Sequence, residues 1–184
     1  MSYELMHDIE TLSSKRNAVI LSIGAVIIDI NLARIVDEFY KTVAVNSQPN
    51  RHIDVSTVRW WFTQDKEVRA DTFSGDVSLT NVLQAYANWI SKHKIGGVWS
   101  NGADFDNVIL RDAFEEVGIA CPWHFRQSRC FRTLCSFIPR MEVPLSGKAH
   151  NALTDAQRQG YILYNTLPKL RGLPNADQHV SGEA

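Results

Sequence analysis

The chain has 184 residues, 45% of them hydrophobic and 21% charged, with a formal net charge of −1. That length fits one domain whose core needs no disulfide or structural metal to hold it. The near-neutral balance excludes a broadly basic protein that coats nucleic acid by charge alone, while leaving local grip open. Three cysteines, Cys121, Cys130 and Cys135, form no C-x-x-C pair and no even framework, which points to a reducing compartment. With His124 they match no common zinc spacing. No signal-peptide segment and no apolar run of membrane-spanning length is present, so a cytoplasmic protein without membrane contact is expected.

The first predicted element is a strand over Tyr3 to Leu12 that ends in Asp8-Ile9-Glu10. After the polar turn Ser13 to Asn17, the β-branched run Ala18 to Asp29 reads as a strand buried on both faces, interrupted at Ser22 and Gly24. Ile35 to Val45 alternates and reads as a third strand, which makes the opening an antiparallel meander. Asp54 or Ser56 fits the cap of a helix carrying Val58, Trp60, Trp61 and Phe62. Ser78 to His93 is an amphipathic helix with Leu79, Val82, Leu83, Tyr86, Trp89 and Ile90 on one stripe. Gly96-Gly97 breaks it, and Val98 to Ser100 is a short strand entering the Asn101-Gly102 turn. A helix over Phe105 to Val117, a strand near Arg129 to Leu134 and a last helix over Ala152 to Leu167 follow. The order gives an α/β fold with a mixed central sheet, the three-stranded meander plus parallel strands, flanked by helices. Residues 1–168 are expected as the domain and 169–184 as a loose tail.

Chemistry gathers at three places. On a strand, Asp8 and Glu10 point to one face about 7 Å apart along the chain, with Ile9 toward the core. Two like charges on a buried sheet repel and lose hydration, and a hard divalent cation such as Mg²⁺ or Mn²⁺ offsets both costs. The plain alternative is a strand end running into a polar turn. Asp106 falls in register with Ile109, Leu110, Ala113 and Val117, on the apolar stripe, where a carboxylate needs a cation or several donors. Asp104 fits the N-cap of that helix and Asp112 its solvated face. Asp155 flanks the buried stripe of the last helix (Leu153, Ala156, Gly160, Leu163, Tyr164, Leu167) in its first turn. His150 sits in the loop entering that helix, placed either to take a proton beside a metal cluster or simply to end the helix.

Asp8-Ile9-Glu10, then Gly102-Ala103-Asp104-Phe105-Asp106 opening a helix, then His150 and Asp155, form an ordered set. It resembles the DEDDh 3′→5′ exonucleases of the ribonuclease H-like superfamily. Asn17 to Val26, Thr57 to Trp61 with Gln64, and Trp99 to Gly102 resemble one branch of it, which holds phage exonucleases and a mycobacterial exoribonuclease. Arg132, before Thr133-Leu134, departs from the acid that many relatives carry there.

The resemblance implies a ribonuclease H-like fold and two Mg²⁺ or Mn²⁺ ions held by Asp8, Glu10, Asp106 and Asp155. Asp8 would bridge them, Glu10 and Asp155 complete the first site, Asp106 supports the second, and His150 is the general base. The backbone around Thr11 and Leu12 would receive the terminal 3′-hydroxyl, with Leu12 either a wedge against the last base or a packing residue. Trp61, Arg132 and Asn101 are further candidate substrate contacts. Of the Trp60-Trp61 pair, one member belongs to the core and the other is free to stack on a base. Between Cys121 and Lys148, Arg126, Arg129, Arg132, Arg140 and Lys148 face one acid, Glu142, with Trp123, Phe125 and Phe131 interleaved. This is either a nucleic-acid grip or a solvated edge. The expected partner is the 3′ end of single-stranded DNA, with RNA as the alternative, and a homodimer is admitted. A catalytically silent binding module and a polymerase's proofreading subunit are the other readings.

Overall fold

The computed structural model describes residues 3–144 and 147–172. Strands β1 (Tyr3–Thr11), β2 (Ile20–Asp29) and β3 (Arg34–Thr42) form the expected meander. Helices α1 (Val55–Phe62), α2 (Lys66–Thr72) and α3 (Leu79–Ile90) follow. Next come β4 (Ile95–Ser100), α4 (Asp106–Glu116), β5 (Ser128–Cys130), α5 (Phe131–Cys135) and α6 (Ala152–Leu170). The sheet order is β3-β2-β1-β4-β5. The pairs β1/β2 and β2/β3 run antiparallel, whereas β1/β4 and β4/β5 run parallel. Among the described residues no helix is long and apolar enough to cross a membrane.

Helices cover both faces, so the central strands are apolar on both sides and every residue of β2 is buried. Leu5, Ile9, Ile23, Ala25 and Ile27 pack with α3 and α4 through Leu83, Tyr86, Ile109 and Phe114. Met6, Val26, Ile28 and Trp99 pack on the other face with Ala156, Leu163 and Leu167 of α6. Strand alternation therefore turns Asp8 and Glu10 toward α6 and leaves Ile9 in the opposite core. A register shift between Glu10 and Thr11 marks a bulge at the end of β1, a device that re-aims the chain beside a site.

One glycine sets how α6 lies on the sheet. Gly24 pairs with Asp8 across β1 and β2, and a Cβ there would overlap the backbone of Ala152 and Leu153. The first turn of α6 thus rests on bare strand, next to the carboxylates of β1. At its other end, Arg171 donates to Glu4 Oε1 at 2.8 Å, and Trp99 Nε1 donates to Glu4 Oε2 at 2.7 Å.

Several expectations change. The strand near Arg129 to Leu134 is only three residues long, and 131–135 are helical. Asp104 is exposed and does not cap α4, which starts after Phe105 without a side-chain cap. Helix α2, unexpected from sequence, is capped by Asp65, whose carboxylate accepts from the Glu67 and Val68 N–H groups. Helix α6 continues through Pro168 to Leu170. Residues 173–184 of the expected tail lie outside the described residues.

Candidate active site

Four carboxylates and one imidazole from four elements meet where β1 passes under α6. Glu10, at 8% exposure, is almost fully enclosed. Glu10, His150 and Asp155 each offer a ligand atom within 4.8 Å of the others. Asp106, at 3% exposure, opens α4, and its Oδ1 accepts the Ile9 N–H at 3.2 Å. Its carboxylate is thereby tied to the strand between Asp8 and Glu10. Asp8 Oδ1 accepts from Gln159 Nε2 at 3.0 Å. His150 has φ +63°, a left-handed turn that costs a non-glycine residue roughly 1–2 kcal/mol. The turn directs the His150 N–H to Asp155 Oδ2 at 2.9 Å. The imidazole meets the Trp60 ring edge to face, centroids 4.8 Å apart.

The electrostatics are those of anions without enough counter-charge. Burial, then Asp106 and then Glu10, raise the Asp8 pKa well above the ordinary carboxylate range. Burial, Asp155 and Asp106 push Glu10 up to about 8. Burial pushes Asp106 up to about 7, against the Ile9 N–H and the positive charge of Arg132. Asp155 is also raised by burial, opposed by the His150 N–H and Arg158. Bound protons or bound cations each relieve the desolvation and the mutual repulsion together. A cluster of hard carboxylate oxygens with this deficit fits Mg²⁺ or Mn²⁺.

The remaining site candidates divide. Arg132 Nη2 donates to the Asn101 carbonyl at 2.8 Å, and both residues are exposed at the turn that leads into Asp106. Thr11 is buried, with its hydroxyl donating to the Ser13 carbonyl at 2.7 Å. Leu12 packs with Val19, Leu21, Trp61 and Val68, the packing role of its two alternatives, and its N–H is taken by the Val19 carbonyl. The assignment of Trp61 to substrate is corrected. It is 2% exposed, with Nε1 donating to the Thr11 carbonyl at 2.9 Å, while Trp60 is 41% exposed beside His150.

In the basic segment, Trp123 and Phe131 are core residues, whereas Phe125 and Phe137 are exposed. Arg129 is bonded to the carbonyls of Arg126 and Ser128, and Lys148 to Asp65 and Glu67. Two residues of the site escaped sequence reasoning. Gln159 carries no charge to mark it, though it lies one turn beyond Asp155. Asn151, the α6 N-cap, reaches Asp71 of α2 at 2.9 Å.

A mixed sheet with this strand order, flanked by helices, is a fold that the chain shares with the solved nuclease domain of 3′hExo and with exonuclease I. The chain belongs to the family described as the 3′-5′ exoribonuclease Rv2179c-like domain, whose family model matches residues 3–167. It is also similar to an exodeoxyribonuclease of Enterobacteria phage T4, 25% identical over 130 residues, covering 62% of this chain and 57% of the phage protein. Among solved structures it resembles the nuclease domain of 3′hExo, a DEDDh family member bound to rAMP. That match has a TM-score of 0.66 at 15% identity over 94% of this chain and 95% of that one. It resembles Escherichia coli exonuclease I in complex with a dT13 oligonucleotide at a TM-score of 0.68 and 12% identity, over 94% of this chain and 43% of that one. The chain thus spans less than two thirds of the phage protein and of exonuclease I.

Proposed function

We propose that the chain is a 3′→5′ exonuclease that requires divalent cations. It would hydrolyse single-stranded nucleic acid from the 3′-hydroxyl end and release nucleoside 5′-monophosphates. The observation that carries this reading is the convergence of Asp8, Glu10, Asp106, Asp155 and His150, with the carboxylates held above their ordinary pKa range. Asp8, Glu10 and Asp155 would hold one cation, and Asp8 with Asp106 the second. Two such ions, when bound, supply charge neutralisation and Lewis acidity to a phosphodiester. The His150 imidazole accepts a proton from the attacking water. Water oxygen bonds to the last phosphorus, the bond to the penultimate 3′-oxygen breaks, and that oxygen leaves with a proton as the new 3′-hydroxyl. Trp60, exposed beside His150, offers an aromatic face to the terminal base.

The sugar is where the two sequence matches divide. The family described by its exoribonuclease activity is matched over 3–167, and this longer match supports RNA as the substrate. The phage exodeoxyribonuclease supports DNA as the second reading. The test is 5′-labelled single-stranded RNA and DNA of one sequence, with Mg²⁺, Mn²⁺ or EDTA, with and without a 3′-phosphate block. A ladder shortening from the free 3′ end, faster on RNA and absent in EDTA, is expected. Faster shortening of DNA would install the second reading. Cleavage in EDTA, or equal cleavage of blocked strands, would overturn the proposal.

A further inference from the structure

Gln159 lies on α6 four residues beyond Asp155, so the two side chains share one face of the helix a turn apart. It is only 8% exposed. Its Nε2 donates to Asp8 Oδ1 at 3.0 Å, across 151 residues of chain. The NH₂ end of the amide faces Asp8, the orientation that an ionised carboxylate, which only accepts, requires once cations are bound. The other end is left over: among the described residues Oε1 is buried and has no hydrogen-bond partner. A buried acceptor without a partner costs about 1–3 kcal/mol. An apolar side chain of the same length would avoid that cost, so what the amide provides is the donor on Asp8.

We propose that Gln159 is a positioning residue for the cation site: its amide holds one oxygen of Asp8 and leaves the other presented to the cluster. This inference rests on the metal-dependent reading of the same site. The choice of an amide follows from the surroundings. An ammonium in its place would neutralise Asp8 and compete with the cations. A carboxylate would add a fifth anion to Glu10, Asp106, Asp155 and Asp8. The neutral donor alone fixes the Asp8 rotamer without altering the charge that the cations are drawn to. Because Gln159 and Asp155 belong to one helix, the same docking of α6 that brings Asp155 to Glu10 also sets Asp8. Hydrogen-bond partners of metal ligands commonly change affinity by 10- to 100-fold when removed.

The test uses the full chain without nucleic acid. Gln159→Met keeps the length of the side chain and removes both the donor and the unpaired acceptor. Mn²⁺ binding is measured by titration calorimetry, and the melting temperature in EDTA is measured alongside. The expected result is an Mn²⁺ Kd raised about 10- to 100-fold, with a melting temperature in EDTA equal to or above that of the wild type. Gln159→Leu, which also lacks the donor, is expected to show the same separation and guards against a packing effect peculiar to Met. An unchanged Mn²⁺ Kd together with a lower melting temperature in EDTA would make Gln159 a packing residue and overturn the inference. A wild-type protein that takes up no Mn²⁺ would instead overturn the metal-dependent activity itself.

Discussion

Glu10 is nearly enclosed, and its carboxyl is pushed up to about 8 by burial and by Asp155 and Asp106. The folded chain therefore binds this proton more tightly than the unfolded chain, whose carboxyl has the ordinary value of 4.5. The stability it contributes is fully present below the unfolded value and is lost as pH rises through about 8. His7 runs the other way. Burial lowers it from 6.5 to about 4, against the hydrogen bond to Asn107, so its contribution is lost as pH falls from 6.5 through about 4. Between pH 6.5 and 8 the raised carboxyls of Glu10 and Asp106 lose their protons. Melting temperatures in EDTA should fall across that window and be restored by Mg²⁺, while Glu10→Gln should raise the value at pH 8 and flatten the slope. Each kcal/mol corresponds to about 2–4 °C in a chain of this size. A wild-type melting curve flat across the window would refute the electrostatic account. At this scale the alternation of Asp8 and Glu10 was legible because a strand has period two. The choice between Trp60 and Trp61 was not. Adjacent helical residues point in different directions, and only the Thr11 carbonyl, brought close by the bulge, decides which indole is buried.

Gly24 governs the docking of α6, because the helix backbone occupies the space of a missing Cβ. Gly24→Ala should force the first turn of α6 off β2, at about 1–3 kcal/mol for overpacking. His150 and Asp155 would move with it while Asp8 and Glu10 stay on β1. Mn²⁺ affinity and turnover should therefore fall further than the loss of stability explains. A variant with a lower melting temperature but wild-type Mn²⁺ binding would show that the helix start can yield without disturbing the site. Gly24 was visible in the sequence only as an interruption in a hydrophobic strand, and what approaches a strand glycine is a tertiary fact.

The loop before α6 is tied to α2 through Lys148 to Asp65 and Glu67, and through Asn151 to Asp71, which also accepts from Tyr40 at 2.6 Å. Helix α2 escaped the sequence reading because seven residues give too little periodicity. The same limit turned the short run around Phe131 from an expected strand into a helix.

Across the whole molecule, β1 and α6 are joined at both ends, by Asp8 with Gln159 at one and by Glu4 with Arg171 at the other. Arg171 is partly exposed while Glu4 is buried. Arg171→Ala should therefore cost about 1 kcal/mol, between an exposed pair and a buried one. Mn²⁺ affinity should stay as in the wild type, and a weaker Kd would mean that the two ends are coupled. The layered α/β architecture was legible from the order of strands and helices, but this closure was not, since nothing in Glu4 or Arg171 announces a partner so distant in the chain. It has a consequence for how the protein is made. Asp8, Glu10 and then Asp106 are synthesised early, and His150, Asp155 and Gln159 only after all five strands of the sheet. Until α6 is made and docked, the growing chain holds Asp8, Glu10 and Asp106 without the partners that α6 brings. On the roles proposed above, docking of α6 is the event that arms them.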